Sequence, residues 1–191
     1  MRLSIKTSDV VVATGQRGTG KSFAVDELAK AFGAHVPLYC YDPLDQHKGI
    51  RFARRVVGTY ESQSADFDAL CKLSYASGNN HLFAEEANLF FRDGMEYHVP
   101  HAWESVSRGR NRGVGMTLIT QRVAELSKVV VGRADHMLIF RHSWGADVHT
   151  LAKMLGDDAA SVREWREKIK TVPDHHFYWL HDGKVEGPIK L

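Results

Sequence analysis

Gly15, Gly20, Lys21 and Ser22 fit the spacing G-x-x-x-x-G-K-[ST] within ATGQRGTGKSF, residues 13–23. Glycines at these places let backbone N–H groups turn inward around phosphate. The helix that follows adds the positive end of its dipole. Lys21 is placed to reach β- and γ-phosphates, and the Ser22 hydroxyl to ligate Mg2+. The loop Gly15, Gln16, Arg17, Gly18, Thr19, Gly20, Lys21, Ser22 and Phe23 is therefore the expected nucleotide cradle, with ATP and Mg2+ as its ligands. Hydrolysis needs two more groups: a carboxylate to hold the metal's water shell and a base to aim the attacking water. HLFAEEA, residues 81–87, offers both. Glu85 ends an apolar run and is the metal-side acid; Glu86 follows as the residue that polarises water. The usual acid at the first position is Asp, and the longer Glu changes how directly it serves the metal. A solvated acidic helix start is the alternative for the pair, since acids favour a first helical turn. Gln121, in Thr120-Gln121-Arg122, is a polar residue at a strand tip, suited to touch the γ-phosphate and sense its loss.

These groups meet only if the elements around them bring them together. DVVVAT (9–14) reads as a strand leading into the loop, and SFAVDELAKAF (22–32) as a helix ended by Gly33. VPLYCY (36–41), HLFAEE (81–86), GMTLIT (115–120) and DHMLIF (135–140) read as further strands. Residues 64–76 look helical, with Phe67, Leu70, Cys71 and Leu73 on one side. Strands that are continuously apolar, without alternation, are buried parallel strands. Their alternation with helices predicts an α/β fold: a mainly parallel central sheet flanked by helices. The tail HHFYWL-HDGK-VEGPIKL carries an Asp182-Gly183 turn between two extended runs, a hairpin placed at the sheet edge. The expectation is one domain over 1–191, with a core of about 9–156 and a C-terminal helix and hairpin over 157–191.

Composition bounds the function classes. The 191 residues are 43% apolar and 25% charged, which is ordinary for a globular chain. No stretch approaches the ~20 apolar residues of a membrane span, so no stable membrane insertion is expected. MRLSIKTSDVVVATG lacks a secretory apolar region, which leads to a cytoplasmic expectation. Cys40 and Cys71 sit among apolar residues and read as buried thiols. A net charge of +2 does not announce a nucleic-acid binder, although a local basic patch is compatible with it.

GRNRGVGMTLITQRVAEL (109–126) resembles the stretch of HerA/FtsK ATPases in which an arginine-bearing turn leads into a strand ending in Gln-Arg. FAEEANLF is similar to the HerA form of the Walker B motif, and LYCYDPLDQH to the second strand of that family, with Asp42 and Pro43 as the matches. ADHMLIFRHSWGADVHTLAKMLG is similar to its fifth strand and following helix. The resemblance implies a RecA-like P-loop fold and a homo-oligomeric ring, commonly a hexamer. It also implies ATP hydrolysis at subunit boundaries and pumping of double-stranded DNA through a central channel. Such a bare motor, without barrel, membrane or winged-helix additions, is similar to the genome-packaging ATPases of tailless icosahedral viruses with an internal membrane. For those, a capsid vertex or portal protein is a further candidate partner, and the host cytoplasm or the virion the expected location.

Arg108, Arg110 and Arg112 put three guanidinium groups in five residues. By its match to the family's turn, Arg110 is the first candidate for an arginine finger acting on a neighbouring subunit, Arg112 the second, and Arg122 a further one. A DNA-phosphate contact and a solvated charged turn are the alternatives. In FRDGMEYHVPHAWE (91–104), Arg92, Tyr97 and His98 are candidates to face a channel. His98 and His101 do not make a metal set by themselves. His175 and His176 read as structural, and Trp103, Trp144, Trp165 and Trp179 as core or interface residues. Three competing functions remain open: a same-fold ATPase for secretion or filamentous-virion assembly, a P-loop small-molecule kinase, and a nucleotide-dependent structural ring. A kinase has no need of the Glu85-Glu86 pair, and no N-K-x-D motif supports a GTPase.

Overall fold

The apolar runs become strands of one sheet in the computed structural model, which describes residues 3–59 and 61–191. In chain order the elements are β1 (Val10–Thr14), α1 (Lys21–Gly33), β2 (Leu38–Tyr41), β3 (Arg54–Val56), α2 (Gln63–Ser77), β4 (Asn80–Ala84), α3 (Pro100–Arg108), β5 (Val114–Thr120), α4 (Lys128–Val131), β6 (His136–Ile139), α5 (Gly145–Leu155), α6 (Ala159–Lys170), β7 (His176–His181) and β8 (Lys184–Lys190). Eight strands lie in the order β3-β2-β4-β5-β1-β6-β7-β8. The first six in that order run parallel, and β7 and β8 close the edge antiparallel. The strand bearing Gln121 at its end, β5, lies between β1 and β4.

Pleating divides each central strand between two apolar layers. Val12, Leu82, Met116, Leu118, Met137 and Ile139 face one side, under α2, α3, α5 and α6. Val11, Ala13, Phe83, Ile119 and Leu138 face the other, under α1 and the 36–52 segment. Covering both faces is why these runs carry no polar alternation. Both cysteines are fully buried, as their neighbours foretold, and burial pushes each thiol well above its ordinary value. The hairpin turn falls at Asp182-Gly183, both at positive φ (46° and 69°), as a tight primed turn requires. Gly33 is the last residue of α1, but the residue that caps it, Ala34, is right-handed.

Two expectations need correction. The third apolar run stops at Ala84, so Glu85 and Glu86 lie beyond the strand and not within it. The strand β3 was not foreseen, because RRV is short, charged and at the sheet edge.

One buried polar group makes the core sensitive to acid. His81 lies on β4 with no exposed surface, packed against the rings of Phe32 (4.6 Å) and Phe83 (4.9 Å). Its Nδ1 donates to the Thr7 carbonyl (2.8 Å), so Nε2 accepts from the Thr117 hydroxyl (2.8 Å). The Asp9 charge favours protonation, but burial outweighs it and holds the pKa down at about 4, against an ordinary 6.5. Between those values the unfolded chain binds more protons than the folded one. Stability therefore falls as pH drops from 6.5 towards 4, by about 3 kcal/mol over the whole interval. Melting curves at pH 7 and 4.5 should show the loss, and His81→Gln, which keeps a neutral donor and acceptor, should lessen it. Equal pH slopes for the two proteins would remove His81 from this account.

Candidate functional site

The phosphate loop spans Gly15–Gly20 between β1 and α1. Gly18 and Gly20 have φ of 82° and 103°, a region L side chains rarely adopt, which turns the loop's backbone inward. A side chain at Gly15 would strike Phe140, whose Cβ would lie 2.5 Å from the added carbon. No side chain caps α1, so the N–H groups of its first turn are left for a ligand. Thr19 donates its hydroxyl to the Gln16 carbonyl (2.9 Å) and locks the loop. Lys21 is nearly buried, and its Nζ rests on the same carbonyl (3.1 Å). Burial lowers its pKa, and the charges of Glu85 and Glu86 partly offset that.

A cleft of about 560 Å³ opens over this loop. Arg17, Lys21, Ser22, Phe23, Glu85, Glu86 and Gln121 line it, together with Leu44, Gln46 and His175. Parallel β1, β4 and β5 all end here, so their C-terminal residues converge, as in open parallel sheets generally. The structure thus brings the loop, both glutamates and the glutamine into one cleft. Phe23 and Leu44 are about half exposed and supply its apolar wall. Glu86 sits at φ 52°, ψ 42°, in the left-handed region. That is uncommon for a glutamate and is found where a site over-determines the backbone. Its Oε1 accepts from Gln121 Nε2 (3.2 Å), so the polar residues beyond the ends of β4 and β5 already touch.

Glu85 is buried, and its Oε1 meets His47 Nε2 at 2.8 Å. The other ring nitrogen of His47 lies 2.6 Å from Asp26 Oδ1 on α1. Burial opposes charge on this ring, but the two carboxylates prevail and raise its pKa to about 9. Both nitrogens therefore donate, and His47 is an imidazolium. Asp42 positions the loop that carries it, accepting the N–H of Gln46 (3.0 Å) and of His47 (2.9 Å). Burial would raise Asp42, but those N–H groups and Arg55 (Nη2 at 2.6 Å) hold it below its ordinary value. Sequence reading identified Asp42 and missed His47, Gln46 and Arg55. The only signal was Asp42 itself, an acceptor at a strand end followed by a short loop.

A smaller cleft of about 190 Å³ adjoins Gln16 and Gln121 and is lined by Arg122, His142, Ser143, Trp144 and Asp147. The Arg122 guanidinium lies over the Trp144 ring (4.6 Å) and 3.6 Å from Asp147. Of the arginine turn, nothing reaches the cleft of its own chain. Arg110 pairs with Asp135 (2.5 Å) and Asp9 (3.4 Å), which flank the starts of β6 and β1. That is one strand length, ~17 Å, from the phosphate loop at the other end of β1. Arg112 donates to the Tyr75 and Ala76 carbonyls, while Arg108 is 72% exposed and lies 3.9 Å from Glu104. Arg92, Tyr97 and His98 are all exposed, Tyr97 at 92%. His101 pairs with Asp68, which also accepts the first N–H groups of α3, a structural cap. Of the tryptophans, Trp179 is buried in the core and Trp144 is 59% exposed. His175 begins the closing hairpin, donates its N–H to the Thr19 carbonyl (3.0 Å) and borders the cleft.

No family model matches this sequence, and no curated protein matches it. Solved structures do. The genome packaging NTPase B204 from Sulfolobus turreted icosahedral virus 2, in complex with ATP-gammaS, superposes with a TM-score of 0.75 at 21% identity, over 95% of this chain and 97% of that one. The chain has the fold of these packaging NTPases. The cytoplasmic domain of the Type VII secretion ATPase EccC from Thermomonospora curvata matches at TM-score 0.64 and 10% identity, over 92% of this chain and 22% of that one. The conjugation coupling protein TcpA of pCW3 matches at 0.60 and 12%, over 94% and 59%. All three share the α/β fold of this chain, a mainly parallel sheet flanked by helices.

Proposed function

We propose that this chain is an ATP-hydrolysing motor subunit that moves double-stranded DNA as a homo-oligomeric ring, packaging a viral genome into a preformed capsid. The carrying observation is the convergence of Lys21, Glu85, Glu86 and Gln121 on one cleft, with Gln121 bonded to Glu86. In this reading the loop N–H groups and Lys21 bind the phosphates, Lys21 leaving the Gln16 carbonyl to do so. Ser22 and Glu85 offer a few hard oxygen donors, which suits Mg2+, an ion that keeps most of its own water. Bound there, Mg2+ would neutralise charge building on the β- and γ-phosphoryl oxygens. Glu86 orients a water against the γ-phosphorus and takes its proton as the new P–O bond forms and the bond to the leaving ADP breaks. Gln121 then loses its phosphate contact and returns to Glu86, which links hydrolysis to the tip of β5.

The likeness to a packaging NTPase over nearly the full length of both chains supports this purpose for the site. The likeness to a secretion ATPase motivates the second reading, a same-fold motor that moves another polymer. Duplex DNA separates them. Hydrolysis should rise several-fold with duplex DNA and less with single strands, with Lys21→Ala as the inactive control. ATP turnover indifferent to any DNA would favour the second reading, and no turnover in the parent chain would overturn both.

A further inference from the structure

Consecutive residues of one loop hold both groups that the nucleotide reading directs at the metal. Gln46 Oε1 accepts the Ser22 hydroxyl (3.2 Å), and His47 Nε2 holds Glu85 Oε1 (2.8 Å). Asp42 fixes the two together through their backbone N–H groups, and Arg55 ties Asp42 to Asp45 across the base of the loop. His47 also reaches Asp26, so it joins α1, which carries Ser22, to the end of β4, which carries Glu85. Among the described residues His47 is the hydrogen-bond partner of the Glu85 side chain. Gln46 is exposed, whereas the His47 side chain is 1% exposed.

We propose that Gln46 and His47 are positioning residues that set the metal affinity of this site in opposite directions. Gln46 occupies the Ser22 hydroxyl and must release it before that oxygen can turn to a metal. His47 clamps the long Glu85 side chain by Oε1, where Glu85 lines the cleft. An aspartate at this position would need no such clamp, being one methylene shorter. Without the imidazole, Glu85 would turn to the nearest cation, Lys21, and both would leave their working places. The proposal rests on the nucleotide reading above and concerns binding, before any turnover.

The test is a Mg2+ titration of a fluorescent ATP analogue binding to the full chain, with binding also measured in EDTA. Gln46→Ala should lower the Mg2+ midpoint about threefold, one neutral hydrogen bond being removed from competition. His47→Ala should raise it about tenfold, the scale of an outer partner lost from a metal site. Binding in EDTA should change less than about twofold for either, because the phosphate loop is untouched. His47→Ala should add nothing in a Glu85→Gln background, since it acts through that carboxylate. His47→Gln, which keeps one N–H for Glu85 and most of the volume, should fall between parent and His47→Ala, and carries the test if melting shows that His47→Ala does not fold. Midpoints that are unchanged, or that rise alike for Gln46→Ala and His47→Ala, overturn the proposal. A full His47 effect in the Glu85→Gln background also overturns it. Nucleotide binding by the parent chain that ignores Mg2+ overturns it too while leaving the phosphate loop intact; a parent that binds no nucleotide overturns the reading beneath it.

Discussion

Glu86→Gln should bind ATP as the parent does and lose hydrolysis by about 10²–10⁴-fold, the usual contribution of a positioned general base. The amide has the size of the carboxylate and still hydrogen-bonds a water, but it cannot take the proton. Its effect on folding should be small, because Glu86 is partly exposed at the rim of the cleft and its side chain accepts a single weak bond from Gln121 (3.2 Å). Its left-handed backbone, at φ 52°, is a property of the turn after β4 and is retained, glutamine being no more strained there than glutamate. Glu85→Gln should behave differently. Glu85 is buried against the His47 imidazolium, so loss of its charge leaves a buried cation with Asp26 alone, and stability should fall with Mg2+ use. Single-turnover hydrolysis beside equilibrium nucleotide binding and melting separates the two. If Glu86→Gln turned over normally while Glu85→Gln was dead, the assignments of base and metal-side acid would be exchanged.

What could be read from the sequence follows how local each feature is. The strands β1, β4, β5 and β6 are buried along their whole lengths, so each one announces itself as an apolar run. The phosphate loop is a contiguous pattern, and Asp182-Gly183 is a two-residue turn; both needed only their own neighbours. The edge strand β3 has three residues, two of them arginines and Arg54 exposed, and nothing in such a segment distinguishes it from a loop. Gln121 was legible as a strand-tip residue because it directly follows the apolar run 115–120. His47 was not legible, since its partners lie 21 and 38 residues away and no periodicity links them. Arg122 was noted as a further candidate finger but its setting was not legible, because the stacking on Trp144 and the buried Asp147 beside it come from packing of the 144–147 segment against the chain that follows β5.

Arg110→Ala should slow hydrolysis by about 10³ or more while ATP affinity falls far less, if Arg110 serves the site of a neighbouring subunit. Its position in the fold makes action on its own nucleotide untenable, for it lies at the opposite end of β1 from the phosphate loop. Leaving Asp135 and Asp9 to reach a neighbour costs the guanidinium little, since it is 62% exposed, and the two carboxylates keep the N–H groups of Val10 and Lys6 as donors. A chain with Arg110→Ala keeps its own phosphate loop and Glu86. A chain with Glu86→Gln keeps Arg110. Each is inactive alone, yet in a mixed ring one interface joins the intact cleft of the first to the arginine of the second. Activity should therefore return on mixing. A mixture that stays inactive, although native mass spectrometry shows mixed rings, would count against action in trans by Arg110. Arg108 is then the next residue to exchange, being 72% exposed with Glu104 no nearer than 3.9 Å, whereas Arg112 is committed to the carbonyls ending α2. Should Arg110→Ala leave basal hydrolysis intact and remove only the response to DNA, the turn is a phosphate contact for the duplex. The finger would then be sought at Arg122, which lines the smaller cleft with Gln121 and rests on Trp144 and Asp147.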